Sequence, residues 1–522
     1  MTDSELKETP RTMKKASTAK TQPRSAAQIF KAIDNVLKLP GSGCSGSLDY
    51  MEQSSWLLFL RYLDAFEEER EAEARFMRLP YTPALPKRLR WHEWAYPLTA
   101  DGKLDTERMM VGDTLIAFVN QQLFPGLVRL MEENIGDKSS IQYRVGSVFS
   151  ELTSKFTSGY TLREVIELIE PLRFETEEER HEMSVLYESR LGVMGNAGRD
   201  GGQYYTPRSL IRVMVRILSP ELGEKVYDGA CGSGGFLCEA FNFMRERYKD
   251  TSGAWDILQK KTFYGKEVKA LPFVTAQMNC ILHGLVSPSI EKGNTLAERI
   301  ADYQSSDRVD AILANPPFGA GVNRADQENF TIRTSETALL FMEHFIAKLK
   351  RGGRAAIVIK NTFLSNTDNA SVGIRRMLLE KCELEWVLDL PQKVFVAGVH
   401  TVVLFFRKGK PTTKPINYYE LNLGDVSLGK TRPLLESDLA EFESMVGADL
   451  TTEGGKAPTA IKSPCHWQLD PETIDQTTFD LSVKNPNRKT EELPSAAECR
   501  ARIAKIYAEL GKVLQGNTEA TP

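Results

Sequence analysis

Residues 311–319, Ala-Ile-Leu-Ala-Asn-Pro-Pro-Phe-Gly, form an apolar run that ends in an asparagine, two prolines, an aromatic residue and a glycine. Proline lacks a backbone N–H and pushes the residue before it into an extended conformation. A strand is therefore expected to end at Asn315, at the sheet edge where open α/β sheets bind ligands. There the carboxamide oxygen of Asn315 and the carbonyl of Pro316 could accept both hydrogens of an exocyclic amine on a planar base, and Phe318 could stack on the ring.

A strand followed by a Pro-Pro turn also explains this segment, because short motifs recur by chance. A second segment changes the interpretation: in 226–235, Val-Tyr-Asp runs into Gly-Ala-Cys-Gly-Ser-Gly-Gly and then into a helix. Such glycines let the backbone approach a ligand at the helix N-terminus. A nicotinamide-dinucleotide fold has the same loop, but its acidic residue follows about 20 residues later. The next acidic strand end here, Glu267, lies well beyond that spacing and can bond both hydroxyls of a ribose.

Apolar strands alternate with helices from about residue 207 to residue 408, which predicts a parallel sheet. The predicted strands are 225–228, 262–264, 311–314, 355–360, 384–390 and 401–407. Thr206 is predicted to be the N-cap of a helix over Arg208–Leu218, with Pro207 in its first turn. Residues 411–464 are predicted to be mixed strands and loops.

The region 26–197 shows helical periodicity instead. A stripe of large apolar side chains predicts a buried helix face, and the charged run that follows it, 67–70, predicts a solvated one. The stripe consists of Trp56, Leu57, Leu60 and Leu63. His92 lies between Trp91 and Trp94 in the sequence, which we interpret as packing around a polar contact, since a lone histidine is seldom a metal ligand.

Composition limits the function classes. The 522 residues are 41% hydrophobic and 26% charged, with a net charge of −4, which is typical of a soluble protein of two or three domains. No apolar stretch reaches the roughly 18 residues of a membrane span, and no signal peptide is evident. Seven scattered cysteines without a C-x-x-C pair predict reduced thiols in the cytoplasm and no zinc site. The net negative charge indicates that, if the chain binds nucleic acid, a partner supplies many of the contacts to its phosphate groups.

In chain order, these motifs resemble those of the S-adenosylmethionine-dependent amino methyltransferases: Asp228, the loop 232–235, Glu267 and the segment 315–318. The run 202–207, Gly-Gln-Tyr-Tyr-Thr-Pro, is similar to the opening motif of the γ-class N6-adenine enzymes. More specifically, the chain resembles the modification subunit of type I restriction–modification systems. The segments that carry this likeness are 293–296, 390–391, 394–395, 398–399, 404–408 and 480–486. One departure is Gly229, which stands where a proline is common.

The resemblance implies an α/β fold with a helical N-terminal domain, a Rossmann-like class I methyltransferase domain with a mostly parallel twisted sheet, and a C-terminal helical tail. We expect the boundaries to give a disordered arm (1–25), the helical domain (26–197), the methyltransferase domain (198–465) and a tail with a partner-docking helix (466–522).

The resemblance also implies the roles of site residues. The run 202–207 closes over the methionine end of S-adenosylmethionine, Asp228 receives its ammonium group, Glu267 holds its ribose, and Asn294 lies near its adenine. The implied cofactor-binding residues are Gly202, Gln203, Tyr204, Tyr205, Thr206, Pro207, Asp228, Gly232, Ser233, Gly234, Gly235, Glu267 and Asn294. The implied catalytic residues are Asn315, Pro316, Pro317 and Phe318. The target adenine must leave the duplex, because its N6 is paired inside the stack. We expect no metal.

The implied activity is site-specific adenine-N6 methylation of double-stranded DNA together with a specificity subunit, in a complex with two modification subunits and a restriction (translocase/nuclease) subunit as an optional further partner. Two alternatives are protein-glutamine N5 methylation, which uses a similar Asn-Pro-Pro-aromatic motif, and a non-catalytic scaffold with the same fold. The long helical N-terminal region and the 202–207 run argue against the first. The intact Asp228, Glu267 and Asn315 argue against the second.

Two further segments invite interpretation. Residues 424–431 satisfy the phosphate-loop pattern, but Pro433 follows at once, so we expect an ordinary loop.

Residues 495–514 are predicted to form an amphipathic helix that starts with a Ser495–Glu498 capping box. Its apolar stripe consists of Ile503, Ile506, Tyr507, Leu510, Val513 and Leu514. This stripe either docks a specificity subunit or packs on the chain's own core, and the resemblance favours docking.

Overall fold

The computed structural model describes residues 25–174, 176, 179–180, 183, 187, 206–319, 321–395, 398–424, 426–429, 432–451, 462–488, 497 and 499–507. Within these residues the chain folds into a helical N-terminal region followed by a nine-stranded sheet with helices on its faces. The predicted fold class is thereby confirmed. No helix among the described residues is long and apolar enough to cross a membrane.

The N-terminal region is helical because apolar side chains recur at helical spacing. Its described helices are Ala26–Leu37, Ser47–Met77, Trp91–Trp94, Gly112–Phe118, Phe124–Glu133, Ile141–Phe149 and Gly159–Ile169. The predicted apolar stripe is confirmed as core, since Trp56, Leu57, Leu60 and Leu63 are fully buried.

In the charged run after this stripe, Glu68 and Arg70 are exposed as the sequence predicts, but Glu67 departs from the predicted solvated face. Glu67 is fully buried, and its carboxylate accepts hydrogen bonds from Tyr81 Oη (2.7 Å), Ala84 N (2.8 Å) and Arg90 Nη2 (3.0 Å). The loop that follows the long helix folds back and supplies these donors. Burial of a charge is tolerable when it is paired and hydrogen-bonded in this way.

His92 makes the polar contact that its tryptophan neighbours suggest. Its Nδ1 lies 2.6 Å from an oxygen of Asp64, and its Nε2 lies 3.2 Å from an oxygen of Glu170. Burial alone lowers the pKa of His92, but hydrogen bonds to Asp64, Glu170 and Glu68 outweigh burial and raise the pKa to about 11. His92 is therefore an imidazolium that joins three carboxylates.

The strands are β1 (Val226–Asp228), β2 (Phe263–Glu267), β3 (Ser289–Lys292), β4 (Val309–Ala314), β5 (Leu349–Lys360), β6 (Cys382–Asp389), β7 (Thr401–Lys408), β8 (Ile416–Glu420) and β9 (His466–Leu469). Their order across the sheet is β3-β2-β1-β4-β5-β7-β6-β8-β9. Pairs that include β7 or β9 are antiparallel, and the other pairs are parallel. All six predicted strands are present, and β3 and β9 are added to them. β8 lies in the region 411–464, predicted to be mixed strands and loops; that prediction is wrong for the helix Glu436–Thr451.

Helices cover both faces of the sheet, as a buried parallel sheet requires. They are Arg208–Leu218, Gly235–Arg247, Ala254–Ile257, Ala270–Leu282, Arg324–Gln327, Thr337–Lys348, Asn369–Lys381 and Glu436–Thr451. Alternate residues of β4 belong to two different apolar clusters: Ala311 and Leu313 to one, Ile312 and Ala314 to the other. The N-terminal region shares the first cluster, and it is tied to the sheet side by hydrogen bonds from Tyr62 to the carbonyl of Ile281 and from Arg144 to that of Ile290.

Several expectations about individual segments are resolved. The helix Arg208–Leu218 has the predicted bounds, but its N-cap is Pro207, without a side-chain cap, so the prediction of Thr206 as N-cap is wrong. The expected tail, 466–522, begins inside the sheet, because β9 pairs with β8. The seven cysteines lie within the described residues, and none of them forms a disulfide there.

In the phosphate-loop-like segment, the described residues form no helix, and the next helix begins at Glu436, as expected for a loop. At the C-terminus, residues 499–507 are helical and expose Ile503, Ile506 and Tyr507. The predicted capping box and the rest of the stripe lie outside the described residues, as do residues 1–24 of the arm.

Candidate functional site

Three neighbouring strands bring the predicted residues to one edge of the sheet. β2, β1 and β4 are adjacent and parallel, with Asp228 level with Gly265 and Tyr227 level with Ile312. Asp228 is the last residue of β1, Glu267 is the last of β2, and Asn315 directly follows β4. Parallel strands end at a common edge, so these three side chains face one crevice, where open α/β sheets bind ligands.

A cavity of about 310 Å³ lies at this edge. Its lining includes Glu267, Asn294, Asp326, Asn315 and Pro317. A small adjoining cleft is lined by Asn315 and by Thr206, Asp228, Cys231, Gly232 and Ser233. Asn315 therefore stands where the two spaces meet. A larger cleft of about 1000 Å³, bordered by Arg354, Arg407 and Gln468, contains none of the predicted residues.

The carboxamide of Asn315 has a defined orientation. Its Nδ2 donates a hydrogen bond to Thr206 Oγ1 (3.0 Å), while its Oδ1 is buried and has no hydrogen-bond partner among the described residues. A buried carbonyl without a partner costs about 1–3 kcal/mol, and such a group in a folded protein calls for an explanation such as an absent ligand. The oxygen thus has unused acceptor capacity in a residue that lines both spaces.

Asp228 is a buried acid without a cationic partner among the described residues. Its side chain accepts a hydrogen bond from Ala230 N (3.1 Å), and the residue is 1% exposed. Burial, assisted by the charge of Glu267 and opposed by the Ala230 hydrogen bond, raises the pKa of Asp228 to about 8. A cation placed beside this carboxyl would restore its charged form.

Glu267 is fixed from both sides by backbone groups. Its two oxygens accept hydrogen bonds from Gly232 N (3.0 Å) and Lys269 N (2.9 Å). Burial raises the pKa of Glu267, and these backbone hydrogen bonds act in the opposite direction. Each carboxylate oxygen can accept a further hydrogen bond, so the group is held ready for a pair of hydroxyls.

The glycine loop needs glycine for two reasons. Gly232 and Gly234 have φ values of 53° and 75°, which side-chain-bearing residues rarely adopt. A Cβ on Gly235 would lie 2.9 Å from Nη1 of Arg208, so the loop and the helix after residue 207 are in close contact.

Gly229, the departure from the family pattern, also has a local cause. A Cβ at this position would lie 2.8 Å from the Tyr227 hydroxyl and 3.2 Å from Phe345. The Tyr227 hydroxyl is held in place by a 3.1 Å hydrogen-bond contact with Nε2 of the buried His344. A proline would not fit beside this pair, and glycine leaves room for it.

The loop after β4 is tied to neighbouring elements. Pro316 is buried and Phe318 is half-buried. Lys360 at the end of β5 has its Nζ 6.0 Å from the centre of the Phe318 ring, and Gly319 N donates a hydrogen bond to Glu336 (3.3 Å). Of the predicted catalytic residues, Asn315 and Pro317 line the cavity, whereas Pro316 and Phe318 are not among its lining residues and Phe318 packs against both apolar clusters.

The structure adds a residue that the sequence did not indicate. Asp326 lines the cavity, and its Oδ2 accepts a hydrogen bond from Asn294 Nδ2 (2.8 Å). It lies in a polar segment without any motif, so no sequence signal could have found it. The predicted residues Gly202, Gln203, Tyr204 and Tyr205 lie outside the described residues. Of this opening run, Thr206 is brought to the site, and Pro207 begins the adjoining helix.

Comparison with known proteins agrees with this geometry. Residues 178–493 match the N-6 DNA methylase family, and residues 26–181 match the HsdM N-terminal domain. The chain is 32% identical to the methylase subunit of the type I restriction enzyme EcoEI from Escherichia coli, over 94% of this chain and 96% of that protein. The chain belongs to the type I restriction enzyme methylase subunits. These are S-adenosylmethionine-dependent DNA adenine-N6 methyltransferases of restriction–modification systems.

Other relatives support this membership. The methylase subunit of the EcoKI enzyme of Escherichia coli strain K12 is 29% identical over 81% of this chain and 76% of its own length. A crystal structure of a modification subunit from Vibrio vulnificus superposes with a TM-score of 0.78 at 33% identity, covering 90% of this chain and 98% of that one. A structure from a study of type I R-M complex assembly gives a TM-score of 0.73 at 33% identity, over 94% and 97% of the two chains. The glutamine methyltransferase and scaffold alternatives find no support.

Proposed function

We propose that this type I methylase subunit methylates a flipped-out adenine held by Asn315, Pro316 and Phe318, with S-adenosylmethionine bound in the adjoining cavity. The observation that carries this proposal is the side chain of Asn315. Its amide is tied to Thr206, and its buried oxygen has no hydrogen-bond partner in the part of the chain that the structure describes. An acceptor prepared in this way suits an incoming amine.

The residues at the cavity fit the cofactor. Asp228 is a buried carboxyl with no cation beside it among the described residues, which suits the ammonium group of the methionine end. Glu267 is anchored by two backbone N–H groups and can accept from both ribose hydroxyls. Gly232, Ser233, Gly234 and Gly235 offer backbone close to the bound molecule. When bound, S-adenosylmethionine supplies a methyl group on a sulfonium that needs no further activation.

In the proposed mechanism the chain's residues align and polarise the amine. Asn315 Oδ1 and the Pro316 carbonyl each accept one hydrogen of N6, which draws the nitrogen lone pair out of conjugation with the ring. Phe318 stacks on the base and holds it against the turn. Catalysis by such positioned acceptors is alignment and electrostatic stabilisation. The adenine has to be flipped out to reach them, because N6 is hydrogen-bonded inside the duplex.

We also propose that the chain works on double-stranded DNA in a complex with a specificity subunit. The net charge of −4 is unfavourable for unaided DNA binding. The C-terminal helical residues expose Ile503, Ile506 and Tyr507, an apolar stripe that suits helix-against-helix docking. We propose a complex with two copies of this chain per specificity subunit. A restriction subunit is an optional addition to it.

A methyl-acceptor assay tests the proposal. The chain, with and without its specificity subunit, is incubated with labelled S-adenosylmethionine and either DNA or a glutamine-containing protein acceptor. We expect label in N6-methyladenine of DNA, and only when the specificity subunit is present. Label in protein, or none in any acceptor, would contradict the proposal.

A further inference from the structure

The wall of the cavity next to Glu267 carries a pair of polar side chains, Asn294 and Asp326. Asn294 directly follows the turn after β3, and Asp326 lies in the short helix Arg324–Gln327. The amide nitrogen of Asn294 donates a hydrogen bond to Oδ2 of Asp326, 2.8 Å away. Both residues line the same 310 Å³ cavity as Glu267.

The hydrogen bonds within the wall fix what each side chain can still offer. The Oδ1 of Asn294 already accepts from the backbone N–H of Leu296 (3.0 Å), so its amide cannot flip without losing two bonds. Its Nδ2 retains one unused hydrogen. The Oδ2 of Asp326 accepts from Asn294 and from Asn323 (2.7 Å), whereas its Oδ1 accepts no hydrogen bond from the described residues. The pair therefore offers a donor next to an acceptor.

This pattern complements one edge of adenine. On that edge the exocyclic N6 amine is a donor, and the neighbouring ring nitrogen N1 is an acceptor. A 6-oxo purine has the opposite pattern, with an acceptor at position 6 and an N–H at position 1. Among the acidic side chains that line the cavity, Glu267 is committed to two backbone N–H groups at the ribose position, which leaves Asp326 as the acid available to the amine.

We propose that Asp326, together with Asn294, reads the N6–N1 edge of the cofactor's adenine: Asp326 Oδ1 accepts from the amine and Asn294 Nδ2 donates to N1. This assignment rests on the cofactor position proposed above. It makes Asp326 a specificity-determining residue outside the methyltransferase motifs. It also links the cofactor's base to the segment that directly follows the catalytic turn.

The short helix that carries Asp326 is not capped by the Asp326 carboxylate. The short helix Arg324–Gln327 is capped by the side-chain oxygen of Asn323, which accepts from the backbone N–H of Asp326. The Asp326 carboxylate instead draws two amide groups toward one of its oxygens and leaves the other to the cavity. This arrangement orients a binding group, because it positions both members of the donor–acceptor pair.

Calorimetric titration of the full chain with two ligands tests the proposal. The ligands are S-adenosylhomocysteine and its 6-oxo analogue, S-inosylhomocysteine. A site built to hydrogen-bond a substrate group rejects the analogue that lacks it, so the wild type should prefer the adenine ligand by roughly 100-fold or more. Asp326→Ala should lose roughly tenfold or more in affinity for S-adenosylhomocysteine, with little change for the inosine ligand.

Asp326→Asn provides a second variant of nearly the same size. Its amide can donate to a 6-oxo group, so it should bind the inosine ligand more tightly than the wild type does. Glu328→Ala, an exposed acid two residues away, is the matched control and should keep the wild-type preference. Wild-type affinity and preference in both Asp326 variants would overturn the assignment. Failure of the wild type to bind either ligand would instead contradict the proposed cofactor site itself.

Discussion

The side-chain amide of Asn315 donates a hydrogen bond to the hydroxyl of Thr206 across 3.0 Å, and this bond fixes the orientation of the carboxamide. With Nδ2 engaged, Oδ1 is the atom left without a hydrogen-bond partner among the described residues. Thr206 precedes the helix Arg208–Leu218, far from Asn315 in the sequence. The two residues meet because that helix packs against the glycine loop beside β4.

The first prediction concerns this bond. Thr206→Val keeps the shape of the side chain but removes the acceptor, so the Asn315 amide loses its fixed orientation. We expect the rate of methyl transfer to fall roughly tenfold, the equivalent of about 1.4 kcal/mol for one hydrogen bond. Thr206→Ser keeps the hydroxyl and should stay near the wild-type rate. Single-turnover methylation of cognate DNA measures both, and equal rates for Val and Ser variants would show that the bond is irrelevant to catalysis.

The second prediction concerns the buried acid Asp228, whose pKa burial raises to about 8 in the ligand-free chain. An ammonium group beside it favours the carboxylate, so cofactor binding should release a proton, and affinity should rise with pH up to about 8 and then level off. The ligand's own amino group also titrates, so Asp228→Asn serves as the reference. Calorimetric titration between pH 6 and 9 should show a steeper dependence for the wild type, and parallel profiles would contradict this role.

The same pKa shift predicts a stability effect of known sign. The folded-state pKa of Asp228 lies above the unfolded value of 3.8, so its stabilising contribution is complete below about pH 4 and is lost as pH rises toward 8. Asp228→Asn has no carboxyl to ionise, so its stability should not decline with pH through this group. The ligand-free variant should therefore melt at a higher temperature than the wild type at pH 8, and a lower melting temperature would refute the argument.

The third prediction concerns the imidazolium of His92, which contacts Asp64 and Glu170 and is 18% exposed. His92→Gln leaves the buried Asp64 without its cation and should lower the free energy of unfolding by about 3 kcal/mol at pH 7. The pKa of His92 is raised to about 11 in the folded chain, so the stabilisation present at neutral pH declines as pH rises toward that value. Urea unfolding at pH 7 and pH 10 should show a smaller difference between variant and wild type at the higher pH.

The strands that decide the fold could be predicted because they are continuous apolar runs. Along β4, five of six residues are buried, and such a run can be recognised without knowledge of its neighbours. β3 reads Ser-Ile-Glu-Lys, with a single buried residue, and it is a strand only because β2 offers it an edge. β9 is likewise defined by its pairing with β8. Edge strands of this kind take their structure from tertiary contacts that no local pattern records.

In the candidate site, too, contacts that depend on tertiary structure could not be predicted from the local sequence. Asp228, Glu267 and Asn315 lie in motifs that the family resemblance marks out, and the structure brings them to one edge of the sheet. The role of Thr206 could not be predicted, because a threonine before a helix has the same local sequence whether it caps that helix or turns to another strand. The burial of Glu67 depends on Tyr81, Ala84 and Arg90, donors that only the folded loop brings together.

The fourth prediction concerns the exposed apolar stripe at the C-terminus. Replacing Ile503, Ile506 and Tyr507 together by serine should abolish co-purification with the specificity subunit without lowering the stability of the isolated chain, because these side chains are exposed. Lys505→Ala, a change in an exposed residue between them, is the control and should not affect assembly. A chain truncated before residue 495 that still assembles and methylates normally would rule out the docking role.

The central claim is that Asn315 polarises the target amine, and Asn315→Ala tests it most directly in a single-turnover assay with cognate DNA and the specificity subunit. We expect methyl transfer to fall by roughly 100- to 1000-fold, comparable to the loss of an oxyanion-hole group. Binding of S-adenosylhomocysteine should stay within roughly threefold of the wild type. Methylation at the wild-type rate by Asn315→Ala would contradict the account.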